Sequence, residues 1–367
     1  MKIDRRNLLT GASAMGLSAL GLSALGLPCL SPSTVMAQRE DDPDEKTPDE
    51  LITPNTQRAI DRGLAYLDRR QVKSGRDAGS FGRGGGGGYA GGVAVCSLSG
   101  LAFMCNGSSP GDGPYGRNVD QCIEFMLNNT RDTGYIALAN GSGNDNMYGH
   151  GFGMLFLAEA YGMTHRPEIE EKLRKAVELT VKCQNNAGGW RYQPTKSDAD
   201  LSITICQIMG LRAARDAGIN VPDETREACI DYVRKSQNPD GGFCYTIGSR
   251  GHSSFALTAA GIVSLYSSGV YDDEQIEKGL KCLMRFKPGS GSNGSYYFYA
   301  NYYAVQATWH AGGDYWKEWY PAIRDELLKS QQGDGSWNDQ QVGPEFGTAM
   351  ACIILAMPYN YLPVFSP

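Results

Sequence analysis

A glycine followed at once, or one residue later, by an aromatic recurs six times along the chain. The copies are GSF (79–81), GY (134–135), GGW (188–190), GGF (241–243), GSY (294–296) and GSW (335–337). The aromatics Phe81, Tyr135, Trp190, Phe243 and Tyr296 are spaced by 54, 55, 53 and 53 residues, and Trp337 follows after 41. A fixed period of this size means that each unit is one supersecondary piece, which buries its apolar face only by stacking on its neighbours. That constrains the fold more than any other feature of the sequence.

Each unit has the same anatomy. A charged segment precedes the turn, as in TQRAIDRGLAYLDRRQ, EIEEKLRKAVELTVKCQ and YPAIRDELLKSQ, with apolar residues three and four apart. These are helices with one buried and one solvated face. After the turn comes a nearly chargeless, Gly- and Ala-rich segment, as in GHGFGMLFLAEAYG, LSITICQIMGLRAA and FGTAMACIILAM. A helix that is apolar all round belongs in an interior. Six of each predict an all-α fold, an (α/α)6 toroid of six helix-hairpin repeats, with an outer ring around an inner one. An open solenoid is the alternative, but it needs polar end caps, and the terminal units look like the others.

The repeats occupy 54–367. Ahead of them, 1–37 pairs Arg5-Arg6 with a Gly/Ala/Ser-diluted apolar run and a small residue at Ala37, the pattern of a twin-arginine export signal and of a periplasmic or extracellular protein. The run is too diluted for a membrane anchor, and Pro28 before Cys29 is a poor context for lipid attachment. Residues 38–53, acidic and Pro-containing, read as an unstructured tether. The net charge of −6 and the lack of a basic stripe argue against nucleic acid as a partner. Most of the ten cysteines sit inside apolar helical patterns and none forms a CxxC pair, so buried thiols are expected rather than disulfides or a zinc knuckle.

Three turns share a longer pattern: QNNAGGW (184–190), QNPDGGF (237–243) and QQGDGSW (331–337). They resemble the QW repeats of squalene–hopene cyclases and the related repeats of protein prenyltransferase β-subunits, and the resemblance extends over most of 55–357. It implies a terpenoid cyclase/prenyltransferase toroid with a central cavity of aromatic and small residues. It also draws attention to SDADLSI (197–203), similar to the DxDDTA motif of class II terpene cyclases. The resemblance carries the general-acid role onto Asp200, with Asp198 as tuning neighbour and Leu201 where the second aspartate of the pair would be. The triterpene cyclases use two toroids, and this chain has one. The zinc-binding Asp-x-Cys and His of the prenyltransferases are absent from RGHSSFALTA and EFGTAMACIIL, so neither a metal nor a cofactor is expected.

In a toroid all inner helices start at one rim, so the residues at their starts converge. These are His150, Asp198, Asp200, Arg250, His252, Tyr299 and Glu345, with His150 and His252 as hydrogen-bond partners for the acid. Phe152, Phe156, Phe255, Tyr299, Tyr302, Tyr303 and Trp309 are the candidate aromatic faces for an apolar, isoprenoid-type ligand. A competing reading comes from the repeat itself. The residue ten past the turn aromatic is Gly91, Asp200, Ser253 or Gly347 in four units, and Gly, Asp and Ser are helix N-cap residues. An ionised capping Asp is expected to have a depressed pKa, the opposite of an acid catalyst. Three functional readings stand: an isoprenoid-handling enzyme or binder, a non-catalytic ligand- or protein-binding scaffold, and a carbohydrate-active enzyme using paired rim carboxylates such as Asp145, Asp198, Asp200 and Glu345. Contact with a membrane surface is compatible with the first of these, and a protein partner is unidentified.

Overall fold

The structure is a computed structural model, and it describes residues 48–81, 92–138, 146–249, 251, 253–290 and 296–366. The expected export signal, most of the tether and the Gly-rich stretch 82–91 lie outside the described residues. Residues 43–367 form one compact unit. After a short turn α1 (Pro48–Leu51), twelve helices alternate in kind. The outer set is α2 (Pro54–Arg70), α4 (Gly116–Asn128), α6 (Pro167–Cys183), α8 (Asp223–Lys235), α10 (Glu274–Leu283) and α12 (Gly313–Ser330). The inner set is α3 (Val93–Cys105), α5 (Met147–Thr164), α7 (Leu201–Asp216), α9 (Phe255–Ser267), α11 (Tyr297–Ala311) and α13 (Pro344–Ala356). Among the described residues there is no strand, only isolated bridges, and no helix is long and apolar enough to cross a membrane.

The inner helices form a closed circuit. Each packs on the next from α3 through α5, α7, α9 and α11 to α13, and α13 packs back on α3. Chargeless Gly- and Ala-rich sequences permit this, because such helices approach closely. Gly151 of α5 faces the backbone of Cys206 in α7, where an added Cβ would stand 2.8 Å away.

The turns explain why the ring closes. In five of the six, a glycine at positive φ (Gly79, Gly134, Gly188, Gly241 and Gly335) presses against the following outer helix. A Cβ on Gly188 would overlap the Ala228 carbonyl of α8, and one on Gly335 would stand 2.6 Å from the Arg62 carbonyl of α2. In four of these turns a glutamine from the end of the outer helix doubles the contact. Gln184 Nε2 donates to Gly188 O and to Thr225 O of α8, both at 2.9 Å. Gln237 does the same to Gly241 O and Gln275 O of α10, and Gln71 to Gly79 O and Asn118 O of α4. Gln331 joins Gly335 O (2.9 Å) to Ala59 O (2.8 Å) of α2, so the last unit is tied to the first. The two indoles finish the turns by donating to their own outer helices, Trp190 to Thr180 O and Trp337 to Leu327 O, each at 2.8 Å.

The repeat register needs two corrections. In the second unit the residue equivalent to Trp190 is Ile136, not Tyr135, because the pattern is glycine, any residue, then the buried side chain. Ile136 is fully buried and its N–H is captured by the inner helix, as those of Trp190, Phe243 and Trp337 are by Thr204, Thr258 and Thr348. In the fifth unit Tyr296 is 60% exposed and in the left-handed region just before α11, so GSY there is not a copy of the turn.

Two boundaries also differ from expectation. The stretch expected as tether includes α1, and Leu51 and Ile52 are buried, with Arg324 Nη1 of α12 donating to Leu51 O. Helix α12 begins at Gly313 rather than near Tyr320 and runs through Pro321, because the buried Trp316, Trp319 and Tyr320 contribute more packing than one lost backbone bond costs. The nine cysteines among the described residues are all free and buried.

The turns predict a graded response to alanine. Gly188→Ala combines left-handed strain with overlap on α8 and should cost ~3 kcal/mol or more. Gly218→Ala, also at positive φ but with nothing near its Cβ, should cost only ~1 kcal/mol. Denaturant midpoints of the two variants measure the difference.

Candidate functional site

The backbone around the rim is set by the repeat. Two residues past the turn aromatic, Tyr192 and Tyr245 occupy equivalent positions in units three and four. Each carbonyl accepts from the first amide of the preceding unit's inner helix, Tyr192 O from Met147 N (3.0 Å) and Tyr245 O from Leu201 N (2.9 Å). Between these anchors stands Asp200, which caps α7 and is completely buried. Its Oδ1 accepts from Ile203 N (2.9 Å) and from Ser202 Oγ (2.6 Å), and its Oδ2 from the Tyr245 hydroxyl (3.2 Å).

The surroundings are tyrosine on several sides. Tyr148 donates to Ser202 Oγ (2.6 Å), Tyr299 donates to Ser202 O (2.9 Å), and the Tyr192 and Tyr245 hydroxyls share a hydrogen bond of 2.6 Å. Arg191 lies over the Tyr192 and Tyr245 rings at 5.1 and 5.3 Å, and its Nη1 stands 3.5 Å from Asp198 and 3.6 Å from Asp200. Burial pushes the Asp200 carboxyl above the usual carboxylate range, against the opposing pull of Ser202, the Ile203 amide, Arg191 and Tyr245. This corrects the expectation of a depressed pKa. The cap bonds are present, but removal from water outweighs them. Burial also raises the Tyr148, Tyr245 and Tyr299 hydroxyls, which therefore stay protonated donors.

The remaining expected residues divide by location. Tyr299, Tyr302 and Tyr303 come off α11 and reach across the middle to helices that are not its neighbours. Tyr299 meets Tyr148 of α5 edge-on at 6.2 Å, Tyr302 meets Phe152 of α5 at 6.1 Å, and the Tyr303 hydroxyl lies 3.4 Å from Cys206 Sγ of α7. The tyrosine belt thus bridges the centre rather than merely lining it. Phe156 packs on Gly100 of α3, Phe255 on Phe286 and Trp319, and Trp309 on Trp316 of α12. These three fill the seams between helices, since only one face of an all-apolar helix can point to the axis.

His150 also has a different position. Its Nδ1 accepts from Ile136 N (3.2 Å), and its Nε2 donates to Thr180 Oγ1 (2.8 Å), which passes its own proton to Ala176 O. Both nitrogens are therefore spent on tying α5 to the second turn and to α6, and the contacts expected of it at Asp200 are made by Ser202 and Tyr245. Asp198 is 71% exposed on its side chain and reaches Asp200 only through Arg191. His252, Arg250 and Asp145 lie outside the described residues. Glu345 is buried at the start of α13 and paired with Arg70 Nε at 2.7 Å. Leu201, in the place of a second aspartate, is wholly buried. Among the described residues no group of His, Cys, Asp and Glu could hold a metal.

The expected cap slot holds for α7 and, in the corrected register, for α5, but not for α3, capped by Gly92, or for α13, capped by Gly343 with Gly347 inside the helix. Asn146, ten past Ile136, caps α5 as Asp200 caps α7, whereas the cap of α9 is Ser254 rather than Ser253, whose hydroxyl donates to Asp240. Sequence reasoning missed Tyr148, Arg191, Tyr192, Ser202 and Tyr245. A signal for the two equivalent tyrosines was available in their shared offset from the turn aromatics.

Residues 154–294 match the family model of the prenyltransferase alpha-alpha toroid domain. The chain folds as an alpha-alpha toroid of that type. Among solved structures it is similar to a variant of the type II terpene cyclase MstE from Scytonema, in complex with its substrate geranylgeranyl dihydroxybenzoate, at 16% identity and TM-score 0.58, over 84% of this chain and 98% of that one. It is similar also to an inactive variant of the alpha-1,6-mannanase GH76A of Salegentibacter in complex with alpha-1,6-mannotriose (11%, TM-score 0.60, 83% and 99%). A third is a GH76 alpha-mannanase of Bacteroides thetaiotaomicron (12%, TM-score 0.58, 86% and 98%). At these identities the likeness is one of fold. No curated protein matches the chain.

Two titrations follow. Burial holds His150 down to about 4, so it stays neutral in the fold while its unfolded counterpart protonates near 6.5. Stability should therefore fall by ~3 kcal/mol as pH drops from above 6.5 to 4, and His150→Gln should flatten that slope in urea titrations. At Asp200 the sign is opposite, since a raised carboxyl penalises the ionised fold as pH rises. Asp200→Asn should gain on wild type with rising pH, and Asp200→Ala, which also loses the cap, should cost ~2 kcal/mol at low pH and less as pH rises.

Proposed function

We propose that this toroid binds an isoprenoid-type apolar ligand at the rim where its inner helices start, and that Asp200 is the acid that protonates it. The observation that carries the reading is the Asp200 carboxyl, buried and pushed upward beside a cluster of tyrosine rings. Adding a proton to an alkene requires a carboxylic acid kept neutral near working pH. The cation that results requires aromatic faces in place of water, and Tyr148, Tyr299 and Tyr303 would supply them. The fold that MstE uses for a geranylgeranyl substrate supports the same reading.

Chemistry at this centre is simple in outline. Asp200 would give its proton to the terminal alkene, leaving a carboxylate that Ser202, Ile203 N–H, Tyr245 and Arg191 stabilise. Tyr245, bonded to Tyr192, is the hydroxyl through which the carboxylate would regain a proton from the surface. In this reading Leu201 stands where a second aspartate would be and Asp198 points to solvent, so burial rather than a like-charged partner raises the acid. The Arg5-Arg6 pattern of the first 37 residues supports a reaction in the periplasm or outside the cell.

A second reading has its own observation. Asp198 and Asp200 share one Arg191 nitrogen, which brings an exposed and a buried carboxyl together, and glycosidases work with carboxyl pairs about 5–9 Å apart. The mannanase structures support that alternative.

Incubation with geranylgeraniol and with mannan oligosaccharides, followed by mass spectrometry of products, separates the two. Isoprenoid chemistry predicts a cyclised or isomerised product that Asp200→Asn abolishes by about 100-fold or more, with binding retained and Asp198→Asn neutral. A sugar product sensitive to both substitutions would replace the first reading with the second. Wild-type protein that neither binds nor converts either compound would sink both enzymatic readings and leave a binding scaffold.

A further inference from the structure

The end of the toroid opposite Asp200 is occupied by the chain's own residues 362–366. Beyond α13 the backbone folds under the inner ring, and Leu362, Val364 and Phe365 are buried there. Phe365 meets the ring of Tyr302 edge-on at 6.1 Å, halfway up α11. Tyr302 is the residue that crosses the middle to Phe152. The segment therefore stands where the apolar interior would otherwise open to water.

Two polar contacts latch it. Glu159, in the last third of α5 and 6% exposed, accepts from Val364 N at 3.2 Å through Oε1. Arg212 of α7 donates from Nη2 to Ser366 O at 3.0 Å. Nothing about the repeat requires a carboxylate at Glu159. The inner helices otherwise carry few charges, and an ionisable group buried there is costly unless it is paired and hydrogen-bonded. The groups that face Glu159 are Asp216 and Arg212 of α7, the Cys105 thiol at the end of α3 and the Tyr302 hydroxyl of α11. Arg212 divides its charge between Asp216 (3.6 Å) and the Ser366 carbonyl, so it does not neutralise Glu159 alone.

We propose that residues 362–366 are a displaceable plug latched by Glu159 and Arg212, and that ionisation of Glu159 releases it to admit a linear hydrocarbon chain against Phe152 and Tyr302. The physical ground is that the plug keeps Glu159 out of water. With the plug seated, burial holds Glu159 up to about 7; with the plug lifted, the hydrated carboxyl returns to about 4.3. Opening therefore releases a proton between those values. It becomes easier as pH rises through that window, levels off above 7, and changes by on the order of 100-fold across it. The direction is opposite to the His150 effect, so the two are separable.

Hydrogen–deuterium exchange of the full chain from pH 5 to 8.5, corrected for intrinsic exchange, tests the latch. Amides 362–366 should lose protection by on the order of 100-fold with rising pH while the centres of α5 and α7 do not. Glu159→Gln, which keeps an acceptor for Val364 N–H but cannot ionise, should remove the pH dependence. Phe365→Ala should bind the uncharged dye Nile red at both extremes of pH, whereas wild type should bind it only at the upper one. Equal pH dependence in wild type and Glu159→Gln would overturn the latch, as would exchange of 362–366 only together with α5 and α7. Failure of Phe365→Ala to take up the dye would overturn the hydrocarbon site. None of these readouts involves Asp200, so Asp200→Asn should leave them unchanged, and the plug and the rim chemistry stand or fall separately.

Discussion

The contact between a left-handed glycine turn and the next outer helix is the interaction on which this toroid depends. In five turns the glycine sits so close to a neighbouring carbonyl that no side chain fits, and in four of them the preceding glutamine bonds carbonyls on both sides of the joint. Glycine supplies the positive φ without strain, and the glutamine satisfies carbonyls that would be costly to bury unpaired. Because the last turn makes the same joint to α2 as the others make to their successors, the repeat closes on itself. A closed ring has no terminal unit that needs a polar cap.

Closure has a consequence for the interior. The six inner helices carry few charges, and the ionisable groups they do carry lie mostly toward the two ends of the ring. At the end where the helices start lie Asp200, Ser202 and the hydroxyls of Tyr148 and Tyr299. In the middle the α11 tyrosines span to α5 and α7. At the far end Glu159 and Arg212 hold residues 362–366. Asp200 and Glu159, one near each end, are thus separated by an aromatic belt. Both are pushed upward by loss of water, and for the same reason.

Their environments nevertheless differ. Asp200 has donors on both oxygens and an arginine within reach, so its burial is compensated by a rigid network. Glu159 relies on one backbone amide from a segment outside the repeat. The first arrangement suits a group that must hold its position, and the second suits one whose contact is meant to break.

Much of this was determined by the sequence alone. The spacing of glycine–aromatic turns, the alternation of charged and chargeless helices and the recurring glutamine specify the toroid, because periodicity is local and survives in one dimension. Asp200 as a helix cap was likewise legible from its offset to Trp190. What tertiary structure decided was which side chains meet. His150 looked like a rim histidine, but its ring turns outward to Ile136 and Thr180. Asp198, two residues from Asp200, points to solvent, while Tyr148 and Tyr245, some fifty residues away, complete the site. The direction of the Asp200 pKa shift depended on total burial against four donors, a balance that no motif records. Sequence spacing sets where a residue sits along its helix. Only the closing of the ring sets which way it faces, what covers it and how much water it loses.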